Sequence, residues 1–162
     1  MKELTLTLVS CWIFLSPNVV LSETMYDLGK RDGIYYKKFS DVPFNGKITG
    51  NPHGEFNNGK REGTWVWENK NGQINTKGNY TNGKEEGTWA TYYDSGKLSD
   101  KGSYKNGKKE GIWARYWNKA GLMSKGTFKD GKAEGAWVWY NQDGAVWKEY
   151  TGTYKDGIKI RD

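Results

Sequence analysis

The sequence predicts an all-β fold, an elongated single-layer antiparallel meander of tandem β-hairpins, each unit about 24 residues long. Three observations carry this expectation. Glycines recur at 54, 78, 102 and 126, three successive intervals of 24 residues. A turn dipeptide, Asn-Gly or Asp-Gly, recurs at 58–59, 82–83, 106–107, 130–131 and 156–157. Such pairs favour type I′ hairpin turns, whose two central residues both need positive φ. Finally, the apolar content lies in 9 Trp, 11 Tyr and 5 Phe, beside 22 Gly, with Leu, Ile and Val scarce. That composition suits a pleated, half-exposed surface punctuated by tight turns better than an aliphatic core.

Residues 1–22 read as a targeting segment. Lys2 gives a positive start, Leu4 to Leu15 is mostly apolar, and Pro17 ends the run. Val20-Leu21-Ser22 then offers a cleavage site before Glu23. The expectation is export to a bacterial periplasm or the exterior. Cleavage removes Cys11, the only cysteine, so the mature chain forms no intramolecular disulfide. Leu8-Val9-Ser10-Cys11 also resembles a lipobox, which would anchor the chain through Cys11. A very short apolar stretch before Cys11 and a largely apolar one after it argue against that.

Residues 23–53 are expected to form an N-terminal cap and a degenerate first copy. Phe44-Asn45-Gly46-Lys47 suggests that copy, between about residues 31 and 53, and Arg31 to Phe39 is read as capping the sheet edge. Four full copies occupy 54–151. Each carries a second turn after its Trp-containing strand, at Asn71-Gly72, Ser95-Gly96, Ala120-Gly121 and Asp143-Gly144. Residues 152–162 are a truncated last copy whose charged tail, Lys155 to Asp162, caps the other edge. Ten to twelve strands at about 4.8 Å would make a twisted ribbon roughly 50 Å long. Two irregularities, the late Gly121 and two extra residues before Gly152, are expected to bend it as bulges or a lengthened turn.

Slots filled alike in every copy are slots the fold needs. Trp65, Trp89, Trp113 and Trp137 hold one, and Phe56, Tyr80, Tyr104 and Phe128 another, so these eight are assigned to structural cross-strand ladders. Slots that vary on the same strand face are better recognition candidates. Two and four residues beyond each repeated Trp, the chain offers Trp67, Tyr93, Arg115, Trp117 and Trp139, a composition typical of binding hot spots. These five are the candidate partner-binding residues. The opposite face carries Val66, Ala90, Ala114 and Val138, then Glu68, Tyr92, Tyr116 and Tyr140.

The recurring frame Gly-x-(Tyr/Phe)-x-(Asn/Asp)-Gly-Lys-x-Glu-Gly-x-Trp-x-x-(Tyr/Trp) over residues 31–162 resembles the MORN repeat in its bacterial variant form. The chain is similar, more closely, to exported YwqK-type proteins, a family carrying an antitoxin label. The resemblance implies stacked hairpins in an extended antiparallel sheet and a role in protein or membrane contacts. It supplies no catalytic residues to carry over.

Catalytic chemistry finds little support. His53 is the only histidine, and with no mature cysteine there is no metal-ligand set, so neither metal nor cofactor is expected. No Ser-His-Asp or Cys-His arrangement can be assembled. Glu62, Glu86, Glu110 and Glu134 stand about 9.6 Å apart, a carboxylate spacing seen in inverting glycosidases. Each follows a repeated lysine (Lys60, Lys84, Lys108, Lys132), so the rows read as a solvated, alternating-charge edge.

The net charge of +6 and pI near 9.2 suit an acidic partner, though they equally describe a mildly cationic soluble surface. The leader disfavours nucleic acid. The leading expectation is a non-catalytic binding or scaffold module of the cell envelope that recognises a protein or glycan through its aromatic face. Alternatives are a cationic module on anionic membrane or peptidoglycan, and an antitoxin-like, protein-neutralising partner.

Overall fold

A computed structural model describes residues 22–119 and 121–162. The expected leader up to Leu21, with Cys11, and Ala120 lie outside the described residues.

Eleven antiparallel strands form one sheet in chain order, each paired only with its sequence neighbours. They are β3 (Gly46–Ile48), β4 (His53–Asn57), β5 (Lys60–Glu68), β6 (Ile74–Thr81), β7 (Lys84–Tyr92), β8 (Leu98–Lys105), β9 (Lys108–Tyr116), β10 (Leu122–Lys129), β11 (Lys132–Trp139), β12 (Gly152–Lys155) and β13 (Ile158–Arg161). A separate hairpin, β1 (Leu28–Arg31) and β2 (Ile34–Lys37), precedes them. The fold is the antiparallel meander that the repeat predicts.

The Asn/Asp-Gly pairs make the hairpin turns. In Asn82-Gly83 φ is 52° and 81°, and the other four pairs repeat this left-handed conformation. Each turn also docks on the copy before it. The Gly83 amide donates to the Arg61 carbonyl (2.9 Å), Gly107 to Glu85, Gly131 to Lys109 and Gly157 to Ala133. The turn stack therefore fixes neighbouring copies to one another.

A wide bulge follows each of the first four of these turns. Lys77 pairs with Ala90 and Asn79 with Glu86, so Gly87, Thr88 and Trp89 together oppose the single residue Gly78. The bulge lays the Trp89 indole flat against Gly78, where an added Cβ would stand 2.1 Å from the ring. The invariant glycine of the frame is thus a seat for tryptophan.

The loops at the other sheet edge keep the period. Backbone bonds from 69 to 73, 93 to 97, 117 to 121 and 141 to 145 start every 24 residues. The late Gly121 therefore causes no bend: β9 and β10 pair as β7 and β8 do, with Leu122 opposite Tyr116 and Leu98 opposite Tyr92. The second irregularity is a true excursion. After β11 only a Tyr140–Val146 bridge continues the pairing, and a turn over Trp147–Tyr150 precedes β12.

The first copy departs from the frame of the later ones. Asn45-Gly46 is no hairpin turn, since Gly46 opens β3 and pairs with Phe56. The Phe44 carbonyl accepts from Gly59 and the Asn45 side chain accepts from the Asn58 amide (2.7 Å). Those are the tasks of Arg61 and Glu62 in the next copy, so Asn45-Gly46 aligns with Glu62-Gly63, and Ile48 takes the place of Trp65 opposite its glycine. The type I′ turn of this copy is Asp32-Gly33, with φ 48° and 82°. His53, expected in a turn, opens β4 opposite Val66.

Buried side chains form one aromatic spine. Leu28, Phe44, Ile48, Phe56, Trp65, Tyr80 and Trp89 make a continuous core, with Met25 and Tyr35 against it, and Trp113 and Trp137 continue the line. A capping box, Thr24 with Asp27, opens the short turn before β1, and its hydrogen bonds hold the Asp27 carboxyl below the usual range.

Candidate binding faces

The sheet has two faces with different occupations. On the ladder face, rings from successive strands meet edge to face: Phe56 with Trp65 at 5.0 Å, Tyr80 with Trp89 at 5.2 Å, Tyr104 with Trp113 at 5.2 Å and Phe128 with Trp137 at 5.0 Å. Edge-to-face pairs contribute about 0.5–1.5 kcal/mol each beyond area burial. Every repeated indole N–H also donates to a backbone carbonyl ten residues earlier, Trp65 to Glu55, Trp89 to Asn79, Trp113 to Ser103 and Trp137 to Thr127. Cations complete the ladder. The Arg61 guanidinium lies 4.5 Å from the Trp65 ring centre and the Lys109 ammonium 4.0 Å from that of Trp113. Burial, aided by the charge of Arg115, lowers the Lys109 pKa, while burial raises those of the Tyr80 and Tyr104 phenols.

The five candidate recognition residues all lie on or beside this face, and each has an internal partner. Trp67 packs between Trp65 (5.8 Å) and Trp89 (5.9 Å). The Tyr93 hydroxyl donates to the Tyr116 carbonyl (2.7 Å) and the Trp117 indole to the Tyr140 carbonyl (3.2 Å), each reaching the next copy. Arg115 pairs with Asp100 at 2.8 Å. Trp139 stacks on Trp137 at 6.2 Å and meets Tyr150 at 5.9 Å. Trp67, Tyr93, Arg115 and Trp117 each reach a neighbouring copy in a different way, whereas the Trp139 contacts stay within its own copy. More exposed aromatics occur in the excursion, where Trp147 and Tyr150 are 37% and 41% exposed and perpendicular at 4.7 Å.

The glutamate row is more than a solvated edge. Glu62, Glu86, Glu110 and Glu134 accept the backbone N–H of Asn82, Asn106, Asp130 and Asp156, at 2.8, 2.8, 2.9 and 3.1 Å. Each carboxylate caps the hairpin turn of the following copy, as a side-chain oxygen caps a helix start. The preceding lysines reach the same turns: Lys60 bonds the Asn82 side chain, and Lys108 and Lys132 pair with Asp130 and Asp156.

Among the described residues no second layer covers the far face. Residues paired across an antiparallel sheet share a face, so register places Thr64 with Asn79, Val66 with Lys77, and Lys101 with Ala90 and Ala114. Shallow hollows lie on this face, one lined by Thr64, Lys77, Asn79, Thr88 and Tyr92, another by Ile112, Lys125, Thr127 and Val138. Charge is unevenly spread along it. On β3–β7, Lys47, Lys60, Lys77 and Lys84 face Glu55, Glu62, Glu68 and Glu86, four against four. On β8–β12, Lys101, Lys105, Lys108, Lys125, Lys129, Lys132 and Lys155 face only Glu110 and Glu134, seven against two.

Sequence reasoning passed over Lys105 and Lys129. The signal was present in the aligned copies, since the slot before each Asn/Asp-Gly turn reads Asn57, Thr81, Lys105, Lys129 and Lys155.

Comparison with known families agrees with the repeat. The model of the MORN repeat variant matches residues 61–82 and 85–106, which correspond to β5–β6 and β7–β8 with their connecting loops. Repeats of this kind generally serve as binding modules. No curated protein matches the chain.

Proposed function

We propose that the chain is a non-catalytic binding module, exported to the periplasm or beyond, that docks on anionic material through its open face. The observation behind this reading is the contrast between the faces. The aromatic residues that looked available are engaged within the sheet, most of them with a neighbouring copy, whereas among the described residues nothing packs over the far-face cations of β8–β12. The glutamates that could have suggested hydrolysis accept turn amides, a structural task that accounts for their recurrence.

A second reading has its own support. Trp147 and Tyr150 form an exposed perpendicular pair on a pinned excursion, where Lys159 bonds the Lys148 and Glu149 carbonyls and Tyr154 bonds the Tyr150 carbonyl. A protein partner, including one neutralised in an antitoxin-like manner, would use this pair.

Pull-down from envelope extract at low and high salt separates the two. Capture that is salt-sensitive and lost in K105E/K129E supports the cationic face. Salt-resistant capture lost only in W147A/Y150A would transfer the function to the excursion.

A further inference from the structure

We propose that the far face of β8–β12 binds a linear acidic polysaccharide carrying one carboxylate on every second sugar. This deepens the reading above and rests on it.

The first argument is that the fold gains nothing from Lys105 and Lys129. Lys105 pairs directly with Lys108, and Lys129 with Lys132, across their hairpin turns. Like charges directly opposite one another destabilise a sheet. Earlier copies build the same hairpin with Asn57 or Thr81 in that slot. Among the described residues Lys108 and Lys132 find a partial counter-charge in the next turn, whereas Lys101, Lys105, Lys125 and Lys129 take no ion pair. A cost repeated in two copies, and absent from the two before them, points to an external anion.

The second argument is spacing. Lys101 and Lys125 occupy equivalent positions two strands apart, as do Lys105 and Lys129, so charge recurs every ~9.6 Å along the ribbon. That is about the length of a disaccharide in an extended β-linked chain. A nucleic-acid strand in duplex form carries one phosphate for about every 3.4 Å of helix axis, so several phosphates would fall to each cation. Between the lysines the same strands present Ser103 and Thr127, whose hydroxyls suit sugar hydroxyls, and Ile112, 64% exposed, offers an apolar rest for a sugar ring.

The test uses the full chain and fluorescence anisotropy with labelled hyaluronan, which has one carboxylate per disaccharide. Polygalacturonate, with a carboxylate on every sugar, and phosphatidylglycerol vesicles are the competitors. K101Q/K105Q/K125Q/K129Q is expected to weaken hyaluronan binding by about tenfold or more. The charge-matched control K47Q/K60Q/K77Q/K84Q should change it by less than about twofold. Thermal melting of the first variant should be unchanged or raised, because it removes like-charge pairs. Equal losses in the two variants would overturn the proposal, as would tighter binding per anionic group to polygalacturonate or to vesicles, either of which leaves the cationic-face reading standing. Failure to bind any of the three probes would overturn both.

Discussion

At one end of the sheet Phe44 and Ile48 are 6% and 2% exposed beneath Leu28 and Tyr35, while at the other Ile158 and Ile160 stand 69% and 56% exposed. Both ends are variations on one hairpin unit. At the N-terminal end an extra hairpin, β1–β2, and the stretch from Glu23 fold over the edge. Glu23 bridges Ile48, its carbonyl accepts from Thr49, and Phe44 bonds Tyr35 and Gly59. The C-terminal end receives no such cover among the described residues, and β13 shows its outer edge. A single-layer sheet buries a ring only by pressing it against rings of adjacent strands, so each terminal copy lacks half of its packing unless other chain supplies it. Adding a lid restored burial at one end; at the other the last repeated ring, Tyr154, meets Trp137 at 6.3 Å and bonds the Tyr150 carbonyl.

Matched substitutions at the two ends should show the largest difference. Phe56→Ala is expected to cost about 3–5 kcal/mol in urea unfolding, since it empties a slot that touches Tyr35, Phe44 and Trp65. Tyr154→Ala, half-buried in the corresponding slot, should cost about 1 kcal/mol, and Ile160→Ser should stay within about 0.5 kcal/mol. Comparable losses for Phe56 and Tyr154 would mean that the C-terminal end is as well packed as the N-terminal one.

A smaller effect sharpens the same contrast. Glu62→Ala and Glu134→Ala each remove one carboxylate cap from a turn, worth about 1 kcal/mol by analogy with helix caps. Glu62 caps a turn in the interior of the sheet, so its loss should lower the global midpoint. Glu134 caps the last turn, and its loss should instead speed hydrogen exchange at the amides of 154–159 while leaving the midpoint nearly unchanged. Uniform acceleration in both variants would show that the ribbon unfolds as one cooperative unit.

Much of this architecture was legible in the residues, because Asn/Asp-Gly turns and a 24-residue frame leave few alternatives. Phe56, Tyr80, Trp65 and Trp89 were placed in the ladder from sameness between copies alone. What escaped has a common cause, which is that sequence periodicity specifies a face but not what reaches across from the next copy. Glu86 looked solvated because its acceptor task concerns an amide 20 residues away. Tyr93 and Trp117 looked available because their bonds run 23 residues forward to backbone carbonyls, which carry no sequence signal. Asn45-Gly46 marked a degenerate copy without fixing its register, because Asn-Gly serves two roles in this fold, turn and bulge, and only the pairing of Gly46 with Phe56 distinguishes them.

The strictly sequential order of the strands has a mechanical corollary. Residues 46 and 161 belong to strands at opposite edges of the sheet, so tension between them peels an edge strand and loads its hydrogen bonds a few at a time rather than shearing many together. We infer a tether that lengthens in steps, weakest at β13 and stiffest under the β1–β2 lid, each released copy adding about 24 residues or roughly 80 Å of slack. Single-molecule pulling would show a low-force staircase, and one abrupt rupture of the whole sheet would rule it out.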